Sequence, residues 1–201
     1  MDYRKCTLNS IWGANIHCGG NTLFVRRGQP VAYVIDRAHF DALCARAAES
    51  HGVKIQTGER ISGNYEASMV IGADGPASHV AQNFKFPRNS HFVSTFQGIF
   101  KYSCPDPRAV EVYLSPDFPG FFGWAIPQSE ECALIGAGAK PPASSKRAYD
   151  LLVKSLGSPK ELSHSGFTIP TSVRAKTAGI FGSRKVLLVG DAAGQVKATT
   201  G

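Results

Sequence analysis

The stretch "VLLVGDAAGQVKATTG", residues 186–201, decides how the chain is interpreted. Its four leading apolar residues predict a strand covered on both faces, and Gly190 lets the backbone turn without a Cβ clash. Asp191 then lies at the mouth of the turn, followed by the small residues Ala192 and Gly194. Because free amides at a helix start bind phosphate oxygens, the pattern predicts a ligand site. The alternative is a plain strand-to-loop junction.

Composition indicates a globular protein with an anionic partner. The chain has 201 residues, and 43% of them are apolar, which is enough for a packed core. Lysine and arginine number 22 against 15 for aspartate and glutamate, which gives a net charge of +7. This surplus suits a phosphate-bearing cofactor or an anionic lipid surface. The positive residues are scattered rather than clustered, so we expect no nucleic acid partner.

Cysteine usage and hydropathy predict the compartment. The five cysteines are odd in number and include no C-x-x-C pair, so neither a disulfide framework nor a metal site is expected. A cytoplasmic, reducing location fits this pattern. No apolar stretch approaches the length that crosses a bilayer, so any association with a membrane is expected to be peripheral.

The pattern along the chain predicts three segments. Residues 1–83 predict N-terminal strands and turns, followed by a helix, strands and a glycine turn that together indicate part of an α/β layer. Residues 84–176 predict strands in series, which indicates an antiparallel sheet, followed by a helix capped by Ser144 or Ser145. Residues 177–201 predict a return strand that leads into the terminal glycine turn.

The first segment carries its own local signals. A hairpin turn is predicted at residues 19–21, and strands are predicted at 53–56 and 67–73. Asp36 is expected to cap a helix. One stripe of that helix is apolar and consists of Phe40, Leu43, Cys44, Ala47 and Ala48.

Three motifs, in order and spacing, resemble one family. They are "YVIDRAHFD" at 33–41, "VIGADGPASHVA" at 70–81 and the terminal stretch. Together they resemble the FAD-dependent oxidoreductases with the p-hydroxybenzoate hydroxylase fold, a group that contains aromatic hydroxylases and geranylgeranyl reductases. The resemblance implies a fold of the α+β / α/β class, with an incomplete FAD-binding α/β layer plus an antiparallel β-sheet substrate domain. It implies that residues 1–83 hold a partial FAD-binding region with N-terminal strands, that residues 84–176 form the substrate domain, and that residues 177–201 return to the FAD-binding domain. It also implies FAD as the cofactor and NAD(P)H or another reductant as the electron donor.

The resemblance implies roles for individual residues. Asp191 is similar to the carboxylate that hydrogen-bonds a hydroxyl of the FAD ribityl chain, and a carboxylate suits hydroxyls better than phosphate. Asp74 resembles the residue that serves both the FAD pyrophosphate region and the nicotinamide donor. Its alternative is a turn aspartate before Gly75. The implied cofactor-binding set is Arg37, Ala73, Asp74, Gly75, Gly190, Asp191, Ala192 and Gly201.

Arg37 resembles an arginine that reaches FAD in this family. It lies in the first turn of the predicted helix, where the helix dipole disfavours a cation, and this indicates a role other than helix stability. A surface salt bridge with Asp36 or Asp41 is the alternative.

The stretch "PGFFGWAIP" at 119–127 resembles the Tyr-x-Trp-x-Phe-Pro box of the geranylgeranyl reductase branch. It departs from that box at Phe122 and Ile126, which keep the apolar bulk but lose a tyrosine hydroxyl. Aromatic residues are denser here than one strand face can bury, which favours a cavity for an isoprenoid lipid substrate. The implied substrate residues are Phe122, Trp124, Ile126 and Pro127. A plain core strand is the alternative.

Enzymes of this fold begin with a βαβ unit that carries G-x-G-x-x-G, and this sequence has no such motif. We therefore expect an internal fragment that binds FAD weakly or not at all and is inactive on its own. An exposed sheet edge would favour oligomers.

The expected activity is FAD-dependent reduction of geranylgeranyl double bonds in a lipid or pigment precursor. An FAD-dependent aromatic monooxygenase of the same fold and a non-catalytic lipid-binding remnant are the alternatives. The sequence assigns no catalytic residue and no proton donor.

Overall fold

The computed structural model describes residues 3–61, 63 and 65–197, which form three sheets and three α-helices. The helices are α1 (Arg37–Ser50), α2 (His79–Asn83) and α3 (Ser145–Ser155). The strands are β1 (Thr7–Ile11), β2 (Gly13–Cys18), β3 (Asn21–Arg26), β4 (Ala32–Ile35), β5 (Met69–Gly72), β6 (Phe92–Lys101), β7 (Ala109–Leu114), β8 (Gly123–Pro127), β9 (Cys132–Ala139), β10 (Lys160–Pro170), β11 (Ala178–Phe181) and β12 (Arg184–Leu188). The predicted mixed class, with an antiparallel sheet beside a smaller α/β unit, is confirmed.

The largest sheet has seven strands in the order β10-β6-β9-β8-β7-β2-β3. All neighbours run antiparallel except β2 and β7, which are parallel. The four strands predicted in series form its centre. The edge strand β10 was not predicted, because its polar and small residues are nearly all exposed and carry no apolar alternation.

A buried glutamate fastens β2 to β7 and so brings the N-terminal hairpin into this sheet. Glu111 on β7 is 1% exposed. Its Oε1 accepts a hydrogen bond from Asn15 Nδ2 at 2.7 Å, and its Oε2 lies 2.6 Å from His17 Nε2. The predicted division at residue 83 stays a prediction, but β2 and β3, which it counted with the first segment, pair with the sheet of the second.

Helix α3 covers one face of the seven-stranded sheet. Its side chains Tyr149 and Leu152 pack on Phe100 of β6 and Ile135 of β9, and all four are almost fully buried. Ser144 caps this helix by accepting a hydrogen bond from the Arg147 backbone N–H at 3.2 Å. Because successive side chains of a strand point to opposite faces, the intervening residues lie on the other face of the sheet, and they include most of the predicted substrate box.

A separate sheet has three strands in the order β11-β12-β5, and β12 runs parallel to β5 in it. Val186 and Leu188 are buried against α2 and its surroundings, whereas Leu187 is 36% exposed. The prediction that residues 186–189 are covered on both faces is wrong for the described residues. The strand alternates, and its second face, which includes Ile71, is open to solvent.

Helix α1 begins as predicted. Asp36 Oδ1 accepts a hydrogen bond from the His39 backbone N–H at 3.0 Å, and the five residues of the predicted apolar stripe are all half-buried. The strand predicted at residues 53–56 is wrong: that segment has no regular secondary structure, is exposed, and pairs with no strand among the described residues. Within the described ranges no helix combines the length and hydropathy of a membrane span.

Candidate functional site

The two acidic turns lie at the same edge of the three-stranded sheet. Strands β5 and β12 are parallel neighbours, with Gly72 opposite Leu188. The backbone N–H of Val189 donates to the Gly72 carbonyl at 3.0 Å. Two residues after Gly72 comes Asp74, and three residues after Leu188 comes Asp191. Because the carboxyl ends of parallel strands share one edge, this topology brings the two aspartates together.

The Asp191 turn presents a carboxylate that has no partner among the residues that the structure describes. Residues Gly190–Ala193 form a single 3₁₀ turn, and Gly190 has a φ of 58°, a conformation that favours glycine. The Asp191 side chain is half-buried and has no hydrogen-bond or ion-pair partner within the part of the chain that the structure describes. A half-buried carboxylate in this condition is suited to accept hydrogen bonds from ligand hydroxyls.

The Asp74 turn uses its carboxylate internally. Asp74 Oδ1 accepts a hydrogen bond from the Ser78 hydroxyl at 2.6 Å, and Oδ2 accepts one from the Val80 backbone N–H at 3.0 Å. Partial burial alone would raise the pKa of Asp74, but these hydrogen bonds outweigh it and lower the pKa below its usual value. Gly75, with a φ of 81°, makes the turn that lets Asp74 reach the start of α2. Asp74 thus has the geometry of its alternative prediction, an aspartate that stabilises the turn before Gly75.

Arg37 forms the surface salt bridge that was the alternative prediction for it. Its Nε donates to Asp41 Oδ1 at 2.8 Å, an i,i+4 pair on the surface of α1. The Arg37 side chain is 79% exposed. Its role toward FAD stays a prediction, as do the roles of Ala73, which is exposed beside Asp74, and of Ala192, which is buried beside Asp191. Gly201 lies outside the described residues.

Arg174 holds the Asp191 turn in place and was missed by the sequence analysis. It is 8% exposed. Its Nε donates to the Ala192 carbonyl at 2.9 Å, its Nη1 donates to the Pro87 carbonyl, and its backbone N–H donates to the Ala193 carbonyl. Its partners are backbone carbonyls that lie up to 87 residues away in the sequence, so no local pattern could have identified it.

A second contact joins the same turn to the end of the seven-stranded sheet. A Cβ added to Gly194 would lie 2.3 Å from the Ser172 carbonyl oxygen, so only glycine permits this approach. Asn89 Nδ2 donates to that same carbonyl at 2.5 Å, and the Ser172 hydroxyl donates to Asn89 Oδ1 at 2.7 Å. The Asp191 turn is therefore braced against the loops next to β6 and β10.

Most of the predicted substrate box lies on the face of the large sheet opposite α3. We use the name aromatic cluster for Phe121, Phe122 and Trp124, which are half-buried. The Phe121 and Phe122 rings stack with centroids 4.3 Å apart, and the Trp124 ring meets Phe122 edge-on at 5.9 Å. A Cβ on Gly136 would lie 2.4 Å from the Trp124 ring. The glycine of β9 thus lets the indole lie directly on the sheet backbone.

The box divides between the two faces of β8. Ile126 shares the face of Trp124 and is half-buried. Pro127 does not join this wall, because strand alternation places it on the α3 face, where it is fully buried opposite Ala133. The structure therefore brings Phe122, Trp124 and Ile126 together and separates Pro127 from them.

Comparisons with known proteins place these features in context. No family model matches the chain. Digeranylgeranylglycerophospholipid reductase 1 of Methanothermobacter thermautotrophicus is 27% identical, covering 84% of this chain and 49% of that protein. Digeranylgeranylglycerophospholipid reductase 1 of Methanopyrus kandleri is 28% identical, covering 84% of this chain and 53% of that protein. The chain thus spans about half the length of the curated relatives it matches.

Solved structures share the fold. A geranylgeranyl bacteriochlorophyll reductase-like protein of Thermoplasma acidophilum aligns with a TM-score of 0.79 at 21% identity, covering 100% of this chain and 59% of that one. The flavin-dependent brominase Bmp2 aligns with a TM-score of 0.65 at 14% identity, covering 94% of this chain and 56% of that one. At these identities the likeness establishes the fold alone. Together with the sequence relatives, it confirms the resemblance of this chain to the geranylgeranyl reductase family of FAD-dependent oxidoreductases.

Proposed function

We propose that this chain forms part of an FAD-dependent oxidoreductase that reduces isoprenoid double bonds in a lipid or pigment precursor. The proposal is supported by the similarity to reductases named for digeranylgeranylglycerophospholipids. The single observation that carries it is the Asp191 carboxylate, which has no partner among the described residues and is held at the same sheet edge as the Asp74 turn.

The residues at this edge fit a flavin. Asp191 would accept hydrogen bonds from ribityl hydroxyls, and the Gly190 backbone leaves room for a ligand because a Cβ there would meet nothing within 4 Å. Asp74 would act as a positioning residue, since its carboxylate fixes the start of α2 rather than facing a ligand. When bound and reduced by NAD(P)H or another donor, FAD supplies the hydride for double-bond reduction.

The aromatic cluster would hold the isoprenoid chain. Trp124, Phe122 and Ile126 offer a half-buried apolar wall with no charged side chain among them. An isoprenoid has no hydrogen-bonding groups along its length, so apolar contact area and exclusion of water are what such a wall must supply. The net charge of +7 would favour peripheral contact with an anionic membrane surface.

Self-association is a further part of this proposal. The edge strand β3 is exposed at all six of its positions, and it carries the large apolar side chains Leu23 and Phe24. An exposed apolar edge strand offers unpaired backbone groups to another chain. A homo-oligomer formed through this edge would cover them.

The test is hydrogen addition to a digeranylgeranyl glycerophospholipid in detergent micelles, followed by mass spectrometry. The assay uses the complete protein of which this chain would form part, because the chain alone is expected to bind FAD weakly and to be inactive, and dithionite serves as the reductant. We expect double bonds to be reduced, Trp124→Ala to slow the reaction, and Trp12→Ala, at the other half-buried tryptophan, to leave it unchanged.

Two results would contradict this proposal. Oxygen consumption with phenolic substrates, without double-bond reduction, would favour the monooxygenase. Lipid binding that is unaffected by FAD and leads to no reduction would favour the non-catalytic remnant.

A further inference from the structure

A cavity of about 640 Å³ lies beside α2, between that helix and the loop that leads into β6. Ser78 and Ala81 form its helix side, and Asn89 and Phe92 form its loop side. Arg174, the residue that braces the Asp191 turn, also lines it. The aromatic cluster contributes nothing to its lining.

The charged side chains that line this cavity are all positive among the described residues. Lys85, Arg88 and Arg174 line it, and no aspartate or glutamate does so among the described residues. Lys85 and Arg88 are exposed and take part in no ion pair within the described ranges. The carboxylate closest in the bonding network is Asp74, which reaches the lining through Ser78 and is already occupied in fixing α2. Three cations without a counter-charge favour an anionic ligand.

Arg174 gives the cavity a fixed cationic wall. Its guanidinium is buried, and its hydrogen bonds run to carbonyl oxygens rather than to a carboxylate. No carboxylate among the described residues pairs with this buried charge, and buried charges in proteins are normally paired, which favours an anionic ligand at this wall. The carbonyl bonds also hold the side chain in one orientation.

Lys85 is held in a backbone conformation that its residue type disfavours. It follows the end of α2 with a φ of 52°, in the left-handed region where helices usually place glycine or asparagine. A lysine at such a position carries a steric cost, and costs of this kind concentrate at ligand-binding sites. The steric cost at this position therefore favours a ligand-binding role for the Lys85 side chain over a role in forming the turn.

We propose that this cavity binds the phosphoryl group of a ligand, with Lys85 and Arg88 contacting its oxygens and Arg174 supplying the buried positive charge. A phosphorylated prenyl lipid and a phosphate-bearing dinucleotide reductant carry the same chemistry. The lipid source rests on the proposed function.

The first test is calorimetric titration with inorganic pyrophosphate at fixed ionic strength. The test variant is Lys85→Gln/Arg88→Gln, which changes two exposed side chains. The matched control is Lys101→Gln/Lys160→Gln, which removes the same charge from a cross-strand pair at the far end of β6 and β10. We expect the test variant to weaken binding by roughly tenfold or more, and the control to stay within about twofold.

Two results of this titration would overturn the proposal. One is the absence of pyrophosphate binding by the wild-type chain. The other is an equal loss of affinity in the test variant and the control, because it would indicate attraction by net charge alone.

Competition then identifies the source of the phosphoryl group. Geranylgeranyl phosphate is compared with geranylgeraniol, and adenosine 2′,5′-bisphosphate is compared with adenosine. Displacement of pyrophosphate by one phosphorylated member and not by its uncharged counterpart supports the proposal and names the source. Pyrophosphate binding that neither organic phosphate displaces would overturn it. No step involves flavin or double-bond reduction, so a failure of the proposed function leaves this result independent.

Discussion

The two acidic turns have similar sequences and opposite uses of their carboxylates. Both carboxylate oxygens of Asp74 accept hydrogen bonds, one from the Ser78 hydroxyl and one from the Val80 backbone N–H. Asp191 lies half-buried at the same sheet edge and has no partner among the described residues. An Asp-Gly or Gly-Asp pair after a strand therefore does not define a single role. What distinguishes them is whether the local backbone satisfies the carboxylate, and this separates a positioning residue from a candidate ligand contact.

The largest loss of stability is expected from changing Arg174, which holds the Asp191 turn in place, rather than from changing Asp191 itself. Replacing Arg174 by Met keeps the apolar bulk but leaves the Ala192 and Pro87 carbonyls without their donors. Unpaired buried polar groups are costly, so we expect the free energy of unfolding to fall by about 2–4 kcal/mol. Urea unfolding measures this, with Arg46→Met on the surface of α1 as the control. Equal free energies of unfolding for the two variants would contradict a stabilising role of Arg174 in the Asp191 turn.

The Asp74 turn is expected to contribute less. Asp74→Ala removes two hydrogen bonds at the start of α2, and loss of a capping side chain lowers the free energy of unfolding by about 1–2 kcal/mol. The control is Asp41→Ala, which breaks only the exposed pair with Arg37 and should cost less than about 0.5 kcal/mol. Urea unfolding that gives both variants the same stability would contradict the internal role of Asp74.

The pH dependence sharpens the same distinction. Because the folded state lowers the pKa of Asp74, its ionised form contributes stability above the unfolded pKa, and this contribution is lost as the pH falls through the folded pKa. The stability difference between wild type and Asp74→Asn should therefore shrink on going from neutral pH toward about pH 3. Thermal unfolding across that range measures it. A difference that stays constant would mean that the carboxylate is not bonded as described.

The smallest effect on stability is expected at Asp191. Its carboxylate bonds to nothing in the described chain, so Asp191→Ala should change the free energy of unfolding by no more than about 0.5 kcal/mol. The same urea measurement applies, with Asp74→Ala as the contrasting variant. A loss comparable to that of Asp74→Ala would show that Asp191 also has a structural duty.

Local signals predicted the fold better than the site. The Asp36 cap, the half-buried stripe of α1 and the central strands follow from side-chain chemistry and periodicity, which act within a few residues. The buried face of α3 depends instead on the sheet beneath it, which buries Tyr149 and leaves Leu151 38% exposed.

Long-range partners explain what the sequence could not predict. Leu187 is exposed because no second layer covers its side of the sheet among the described residues. Arg174 and Glu111 depend on partners tens of residues away. The motifs identified the two aspartates, but only three-dimensional contacts separated their roles.

The most direct test is to titrate FAD into the isotope-labelled chain and follow backbone amides by NMR, which detects weak binding. We expect the amides of residues 73–75 and 190–192 to shift together, those of β3 to stay unchanged, and Asp191→Ala to abolish the shifts. Perturbation of only one turn, or shifts that persist in Asp191→Ala, would contradict a shared flavin edge with Asp191 as its open carboxylate.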